Sequence, residues 1–207
     1  MKKKITLFGA ANLIFFSLIA MVFLFGMTGA SSASADTGNG GSGNVLDITP
    51  IRPNMTQQEF IDTVSPAAIQ TYHQYGVLPS ITLAQAILES AWGKSGLTTK
   101  ANNLFGIKAY NWDGQYIEME TNEEYNGKTT TIIDKFRAYP TLTDSIMDHG
   151  KFLKENSTYG NHGFFQATDY VGQANALKAA GYATESDYPE LLITLIKQYS
   201  LDQYDTQ

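Results

Sequence analysis

The chain has 207 residues, of which 14 are basic and 20 are acidic, so its formal net charge is −6. It contains no cysteine, which excludes disulfides, iron–sulfur clusters, thiol nucleophiles and thiolate zinc sites. An acidic chain also lacks the basic stripe that neutralises nucleic-acid phosphates, so we expect no nucleic-acid partner.

The first 35 residues predict an export signal. Residues 1–4 form a short basic segment with three lysines, and residues 5–27 are uncharged and mainly apolar. Ala33-Ser34-Ala35 matches the small-residue pattern of a cleavage site, which favours a cleaved signal peptide. The apolar run is also long enough to span a bilayer, so an uncleaved N-terminal anchor is the alternative. Both interpretations place the remainder outside the cytoplasm, after transient contact with the export machinery.

A flexible linker and one globular domain are predicted after this segment. Residues 36–55 begin with a run of Gly, Asn, Ser and Thr that behaves as a coil. Residues 56–207 are enough for one domain that needs neither a metal nor disulfides. Residues 1–35 hold three of the 14 basic residues and none of the 20 acidic ones, so the remainder carries a net charge of −9.

Three helices are predicted in the first part of the domain. The capping box Thr56–Glu59 predicts a short helix, and Ser65-Pro66 predicts a second helix that ends near Gly76. A third helix is predicted from Pro79-Ser80 to about Trp92. Its apolar residues recur at helical spacing, at Ala84, Ile87, Leu88 and Ala91.

A β-hairpin and further helices follow. Residues 116–125 and 128–137 flank Asn126-Gly127, the strongest short hairpin signal that a sequence offers. Helices are then predicted at about residues 144–154, 169–180 and 188–200. This order predicts an α+β, mainly α domain with a small β-hairpin lobe.

Glu89 is the carboxylate that this pattern singles out. It lies on an apolar helix, with Gln85 four residues before it and Trp92 three residues after it on the same stripe. Loss of hydration in such surroundings raises the pKa of a carboxyl toward the range of a general acid. The alternative is a glutamate at the helix surface beside the core.

Several motifs occur in an order that resembles the endo-β-N-acetylglucosaminidases of glycoside hydrolase family 73. They are residues 80–93, ending in Ala-Ile-Leu-Glu-Ser-Ala-Trp-Gly, then Asn-Leu-Phe-Gly-Ile-Lys at 103–108 and Phe-Arg-Ala-Tyr at 136–139. Ser145, Asp148-His149 and Gly181-Tyr182-Ala183-Thr184 extend the resemblance, which covers about residues 66–201. It implies a lysozyme-like fold, peptidoglycan as substrate and Glu89 as the general acid.

The resemblance also implies a second acidic residue on the hairpin. Glu124 adjoins Tyr125 as the family pattern requires, although this chain has one residue more before that tyrosine. We therefore expect Glu124 to assist Glu89, with Glu123 as the alternative. The acetamido group of the substrate is a third possibility, because some glycosidases dispense with a second carboxylate.

The remaining site predictions concern aromatic and polar side chains. Tyr182 matches a tyrosine that the family places near the cleaved sugar, where it would orient the acetamido group. Gln85, Trp92, Tyr110 and Trp112 are predicted to bind substrate, the last two by stacking on sugar rings. His73, His149 and His162 show no metal-ligand spacing, so no metal and no cofactor are expected.

The sequence therefore predicts a monomeric hydrolase, secreted or associated with the cell wall. It would cleave the β-1,4 bond between N-acetylglucosamine and N-acetylmuramic acid in peptidoglycan. A muramidase or lytic transglycosylase on the same fold is one alternative. A non-catalytic wall-binding module is another, disfavoured by the intact motif around Glu89.

Overall fold

The computed structural model describes residues 51–52, 54–125 and 128–206, and it leaves the side chains of residues 122–129 undescribed. The predicted export signal, nearly all of the predicted linker and the hairpin turn Asn126-Gly127 lie outside this range. Across the part that is described, no helix has both the length and the apolar character needed to cross a membrane.

The described residues form helices around one core, with a hairpin at the side. The helices are α1 (Gln57–Tyr75), α2 (Pro79–Ser90), α3 (Gly96–Ala101), α4 (Leu142–Glu155), α5 (Ser157–Asn161), α6 (Tyr170–Ala179) and α7 (Tyr188–Gln198). Short 3₁₀ turns lie at Phe164–Gln166 and Leu201–Tyr204. The prediction of a mainly α domain with a small β-hairpin lobe is confirmed.

α1 is one continuous helix, so the prediction of two helices divided at Ser65-Pro66 was wrong. The capping box at its start is present, with Thr56 and Glu59 each accepting a hydrogen bond from the other's backbone N–H. Pro66 lies inside the helix, but its ring is on the exposed side. Water can satisfy the carbonyl that loses its helical partner there, so the helix continues.

α2 is the central helix of the core. Ten of its 12 residues are buried, and only Leu88 and Glu89 reach the surface in part. Its N-cap, Leu78, supplies no side-chain hydrogen bond. Asp205 does so from the end of the chain, accepting from the Ser80 backbone N–H and hydroxyl at 2.8 Å each. A remote carboxylate therefore caps the helix that carries Glu89.

Three successive left-handed residues end α2. Ala91, Trp92 and Gly93 have φ values of 50°, 63° and 75°. Glycine is favoured at position 93 because its φ is positive and because a Cβ atom there would clash with the Ile51 side chain. This turn leads into α3, a helix of six residues that was not predicted because it is too short to show periodicity.

The lobe consists of β1 (Tyr116–Tyr125) paired antiparallel with β2 (Lys128–Arg137), as predicted. A small apolar cluster, formed by Leu97, Ala101 and Phe136, joins the lobe to α3. The segment before the lobe is also hydrogen-bonded to β2, with Ala109 N–H donating to the Lys135 carbonyl and Arg137 N–H donating to the Ile107 carbonyl. The base of the lobe is therefore tied into the helical domain at several points.

Asn103 is the centre of that attachment. Its side chain is 1% exposed and makes four hydrogen bonds. The amide donates to the carbonyls of Ile107 and Arg137, and its oxygen accepts from the N–H groups of Phe105 and Ile107. One side chain thus holds the Asn-Leu-Phe-Gly-Ile-Lys turn together and fastens it to β2.

Candidate active site

Glu89 lies in the last turn of α2 and is half-buried. Its Oε1 atom accepts a hydrogen bond of 2.8 Å from the Tyr188 hydroxyl. Tyr188 in turn accepts a hydrogen bond of 3.0 Å from the Gln85 side-chain amide. Three residues on two helices therefore form a chain that ends on the Glu89 carboxyl and fixes its position.

The surroundings of Glu89 favour its protonated form. Burial raises the pKa of the Glu89 carboxyl to about 7. The hydrogen bond from Tyr188 lowers this pKa, and the negative charge of Glu185 raises it. Near neutral pH a large fraction of the carboxyl retains its proton, which a general acid must donate.

Gln85 and Tyr182 are enclosed by the protein. Gln85 is fully buried, and its amide nitrogen is bonded to Tyr188. Tyr182 is 1% exposed, and its ring stacks on that of Tyr188 at a centroid distance of 5.7 Å. The structure thus places both residues beside Tyr188. Because both are buried, neither could contact a sugar unless the residues that cover them moved.

His149 lies beside Tyr182 and is also buried. Its Nε2 atom is 3.5 Å from the Tyr182 hydroxyl, and its ring stacks on Phe105 at 3.9 Å. Burial lowers the pKa of His149 to about 3, so its imidazole is neutral over the pH range in which Glu89 titrates.

The predicted aromatic binders occupy different places. Trp92 packs on Phe60 and Tyr199 at 5.8 and 4.9 Å, so its described ring contacts are with the core. Tyr110 is 53% exposed, and its hydroxyl donates to Asp134. Trp112 is half-buried, with the Arg137 guanidinium 4.4 Å from its ring. Of the three, Tyr110 has the most open face for a sugar.

Glu123 and Glu124 both lie in β1, where they pair with Thr130 and Thr129. Their side chains lie outside the described residues. The choice between them as the helper of Glu89 therefore stays a prediction.

Tyr188 and Glu185 are the residues near Glu89 that sequence reasoning missed. The sequence predicts Tyr188 only as the first residue of the helix at about residues 188–200, directly before Pro189. The available signal was its spacing to Leu192 and Ile196, which places it on the buried stripe of α7. Nothing in that spacing indicates its partner, because Glu89 is 99 residues away.

The part of the chain that the structure describes contains no group of three His, Asp or Glu side chains that could hold a metal ion.

Replacing Tyr188 by Phe is expected to raise the pKa of Glu89 above about 7, because the hydrogen bond from Tyr188 opposes the effect of burial. Titration of the Glu89 carboxyl by ¹³C NMR measures this shift. Tyr72→Phe, at a half-buried tyrosine of α1, is the control and should leave the titration unchanged. A lower pKa in Tyr188→Phe would contradict the described hydrogen bond.

This chain is similar in sequence to a known protein family and to several known proteins. A family model described as mannosyl-glycoprotein endo-beta-N-acetylglucosaminidase matches residues 65–201. The exo-glucosaminidase LytG of Bacillus subtilis is 45% identical over 152 residues, which are 72% of this chain and 54% of LytG. An autolysin of Enterococcus faecalis is 34% identical over 165 residues, 77% of this chain and 22% of the autolysin. The chain thus spans about half the length of LytG and less than a quarter of the autolysin.

Solved structures with the same fold cover about three quarters of this chain. The catalytic domain of the autolysin Auto from Listeria monocytogenes has a TM-score of 0.66 and 36% identity, covering 75% of this chain and 90% of that domain. A mutant peptidoglycan hydrolase from Sphingomonas sp. A1 has a TM-score of 0.62 and 33% identity, covering 72% of this chain and 97% of that structure.

Proposed function

Because the chain belongs to the glucosaminidase family, as its motifs predicted, we propose that it hydrolyses the glycan strands of peptidoglycan with Glu89 as the general acid. Residues 65–201 are a glycoside hydrolase domain of that family, with its lysozyme-like fold. The observation that carries the proposal is the Glu89 carboxyl, which is held by Tyr188 and has a pKa raised to about 7. Relatives named autolysin and peptidoglycan hydrolase support the choice of substrate.

The role of Glu89 follows from the chemistry of glycosidic bonds. The leaving sugar must accept a proton on its oxygen as the bond to the anomeric carbon breaks. Glu89 supplies this proton and becomes a carboxylate, which the Tyr188 hydroxyl then stabilises. Since only the protonated form is active, activity falls as the pH rises through about 7.

For the bond cleaved, we propose the β-1,4 linkage that follows N-acetylglucosamine in the strand. The names of the relatives suggest two alternatives, one for the bond that is cleaved and one for the position of that bond in the strand. Three of them, from Lactococcus lactis, are named probable N-acetylmuramidase, which would cut after the other sugar. LytG is named an exo-glucosaminidase, so cleavage from strand ends is an alternative to cleavage within strands.

Product analysis of purified cell wall tests the proposal. After digestion, borohydride reduction and mass spectrometry should detect reduced N-acetylglucosamine at the new ends. Reduced N-acetylmuramic acid would indicate a muramidase, and an anhydro product would indicate a lytic transglycosylase. Release of long fragments at early times supports internal cleavage, whereas early release of small fragments alone supports the exo mode. Wall that stays intact would contradict the proposal.

Glu124 is proposed as the second carboxylate. Glu124→Gln is expected to lower turnover more than it weakens wall binding, and Glu123→Gln, its neighbour in β1, is the matched control and should change neither. Turnover rates and wall sedimentation measure the two effects. The reverse ranking of the variants would assign the role to Glu123. Near-normal turnover in both would favour the acetamido group of the substrate.

We also propose that residues 1–35 are an export signal and that the domain acts outside the cytoplasm, at the cell wall, as a monomer. Mass spectrometry of secreted protein should detect a chain that begins near Asp36. Full-length chain retained with the membrane would instead support an uncleaved anchor. Deletion of residues 1–35 should yield an active domain, whose molar mass in light scattering tests the monomer.

A further inference from the structure

The base of the lobe is held between α3 and α4. Phe136 and Arg137 are consecutive in β2, so their side chains point to opposite faces of the strand. Phe136 packs with Leu97 and Ala101 of α3. Arg137 reaches α4 on the other side, where its Nη1 atom lies 2.6 Å from Oδ2 of Asp148. Two neighbouring side chains therefore hold the strand from both faces.

The ion pair between Arg137 and Asp148 is enclosed and has further partners. The two side chains are 15% and 14% exposed. The Tyr139 hydroxyl donates to the same Asp148 oxygen at 2.7 Å. The Arg137 guanidinium lies 4.4 Å from the centre of the Trp112 ring, and its Nε atom donates to the Lys108 carbonyl at 3.3 Å. These contacts fix the direction in which Arg137 leaves β2.

Stability alone does not account for an enclosed ion pair. Removing two charges from water costs free energy that their mutual attraction offsets only in part, so apolar residues of similar size often stabilise a fold equally well or better. A charged hydrogen bond differs from an apolar contact because it requires a set distance and direction. Such a pair therefore suits a place where the orientation of two parts of the molecule matters.

The orientation of the lobe matters because its far end is distant from this base. Tyr116, the first residue of β1, pairs with Arg137, and Glu124 lies eight residues further along the strand. At the usual rise per residue this distance is about 25 Å, so a tilt of about 5° at the base displaces Glu124 by about 2 Å. A misplacement of about 1 Å can lower a reaction rate by a factor of about 100.

Resting on the proposed function, we propose that Arg137 and Asp148 are positioning residues, whose ion pair sets the tilt of the lobe and so places the acidic residues of β1 for the reaction at Glu89. Neither side chain has to contact the substrate. The inference is the same whether Glu124 or Glu123 assists Glu89, because both lie in one strand.

An apolar replacement of the cluster tests this role. The triple variant Arg137→Met, Asp148→Leu, Tyr139→Phe removes the ion pair together with the hydroxyl that would lose its acceptor. Its thermal midpoint should equal or exceed that of wild type, because buried ion pairs add little to stability. Its kcat on purified wall should nevertheless fall by about tenfold or more, while wall binding measured by sedimentation stays within about threefold.

The control for this experiment is an exposed ion pair on the same helix. Lys151→Gln with Glu155→Gln removes the pair that these residues form on α4 and should leave kcat unchanged. Turnover within about threefold of wild type in a stable triple variant would overturn the inference. Such a result would mean that the ion pair only fills space at the base of the lobe.

The orientation of the lobe is measured by NMR in the protein without substrate. Residual dipolar couplings of the N–H groups in β1 and β2, compared with those in α1 and α2, should reveal a change of tilt of about 5° or more in the triple variant. An unchanged orientation would overturn the inference even if turnover fell.

A second variant decides the question if the triple variant does not fold. Asp148→Asn keeps the shape of the side chain and removes its charge, so it should also change the tilt and lower kcat by about threefold or more. Wild-type tilt and turnover in this variant would contradict the inference. A wild-type protein that leaves peptidoglycan intact would instead refute the proposed function, which is a separate result.

Discussion

Replacement of Glu89 by Gln is expected to reduce wall hydrolysis by a factor on the order of 10² to 10⁴, the usual contribution of a positioned acid. The amide has the shape of the carboxyl and can still accept a hydrogen bond from Tyr188, but it has no proton to donate. Turnover measured on purified wall at pH 6 checks this result. Asp187→Asn is the matched control, since it removes an exposed carboxylate from the neighbouring segment. Activity within threefold of wild type would remove Glu89 from the mechanism.

The same substitution, Glu89→Gln, should raise the stability of the fold at neutral and alkaline pH although it lowers activity. The pKa of Glu89 is about 7 in the folded chain and near 4.5 when unfolded, so the folded form binds the proton more tightly. The free energy of unfolding of the wild-type protein therefore falls as the pH rises from 4.5 to 7, by up to about 3 kcal/mol. Glu89→Gln lacks this penalty, so its free energy of unfolding should exceed that of wild type at pH 8 and approach it below pH 4.5. Urea titrations at both pH values measure the difference.

Replacement of Asn103 by Ala is expected to cause the largest loss of stability. The substitution removes the side-chain partner of the Arg137 carbonyl and of the N–H groups of Phe105 and Ile107, while the Ile107 carbonyl keeps its hydrogen bond from the Arg137 N–H. Each unsatisfied buried group costs about 1 to 3 kcal/mol, so the total should be about 3 kcal/mol or more. For a domain of this size, that lowers the thermal midpoint by about 6 to 12 °C.

Calorimetry of Asn103→Ala measures this loss. Asn161→Ala, at an exposed asparagine at the end of α5, is the control and should change the midpoint by less than about 2 °C. Asn103→Asp should also be destabilised, because a carboxylate cannot donate to the two carbonyls. A midpoint close to wild type in both Asn103 variants would show that the lobe is fastened mainly by its apolar cluster.

Local patterns in the sequence predict the elements that depend on neighbouring residues. The Asn-Gly turn and the flanking alternation fix the hairpin and its register, and the capping box fixes the start of α1. The break expected at Pro66 does not occur, because the pattern does not reveal which face of the helix is exposed. α3 and α5 are too short for a periodic signal.

In the candidate active site, too, the sequence predicts what depends on neighbouring residues and does not predict contacts between residues far apart in the chain. Glu89 could be singled out because its apolar surroundings lie on its own helix. Tyr188 could not, because it reaches Glu89 only through the packing of α7 on α2, and the two residues are 99 positions apart in the chain. The spacing of Gln85 on α2 predicts that it lies beside Glu89, but only the structure reveals that Gln85 is enclosed and bonded to Tyr188.

Because Asp205 caps α2, the stable domain must extend beyond the end of the family match. The family match stops at Leu201, and a truncated chain ending there would contain every motif and every residue of the site. It would nevertheless leave the first turn of α2 without the acceptor for the Ser80 N–H and hydroxyl. The smallest unit that keeps the helix of Glu89 intact therefore extends through Asp205, and a purification tag is better placed on the N-terminal side.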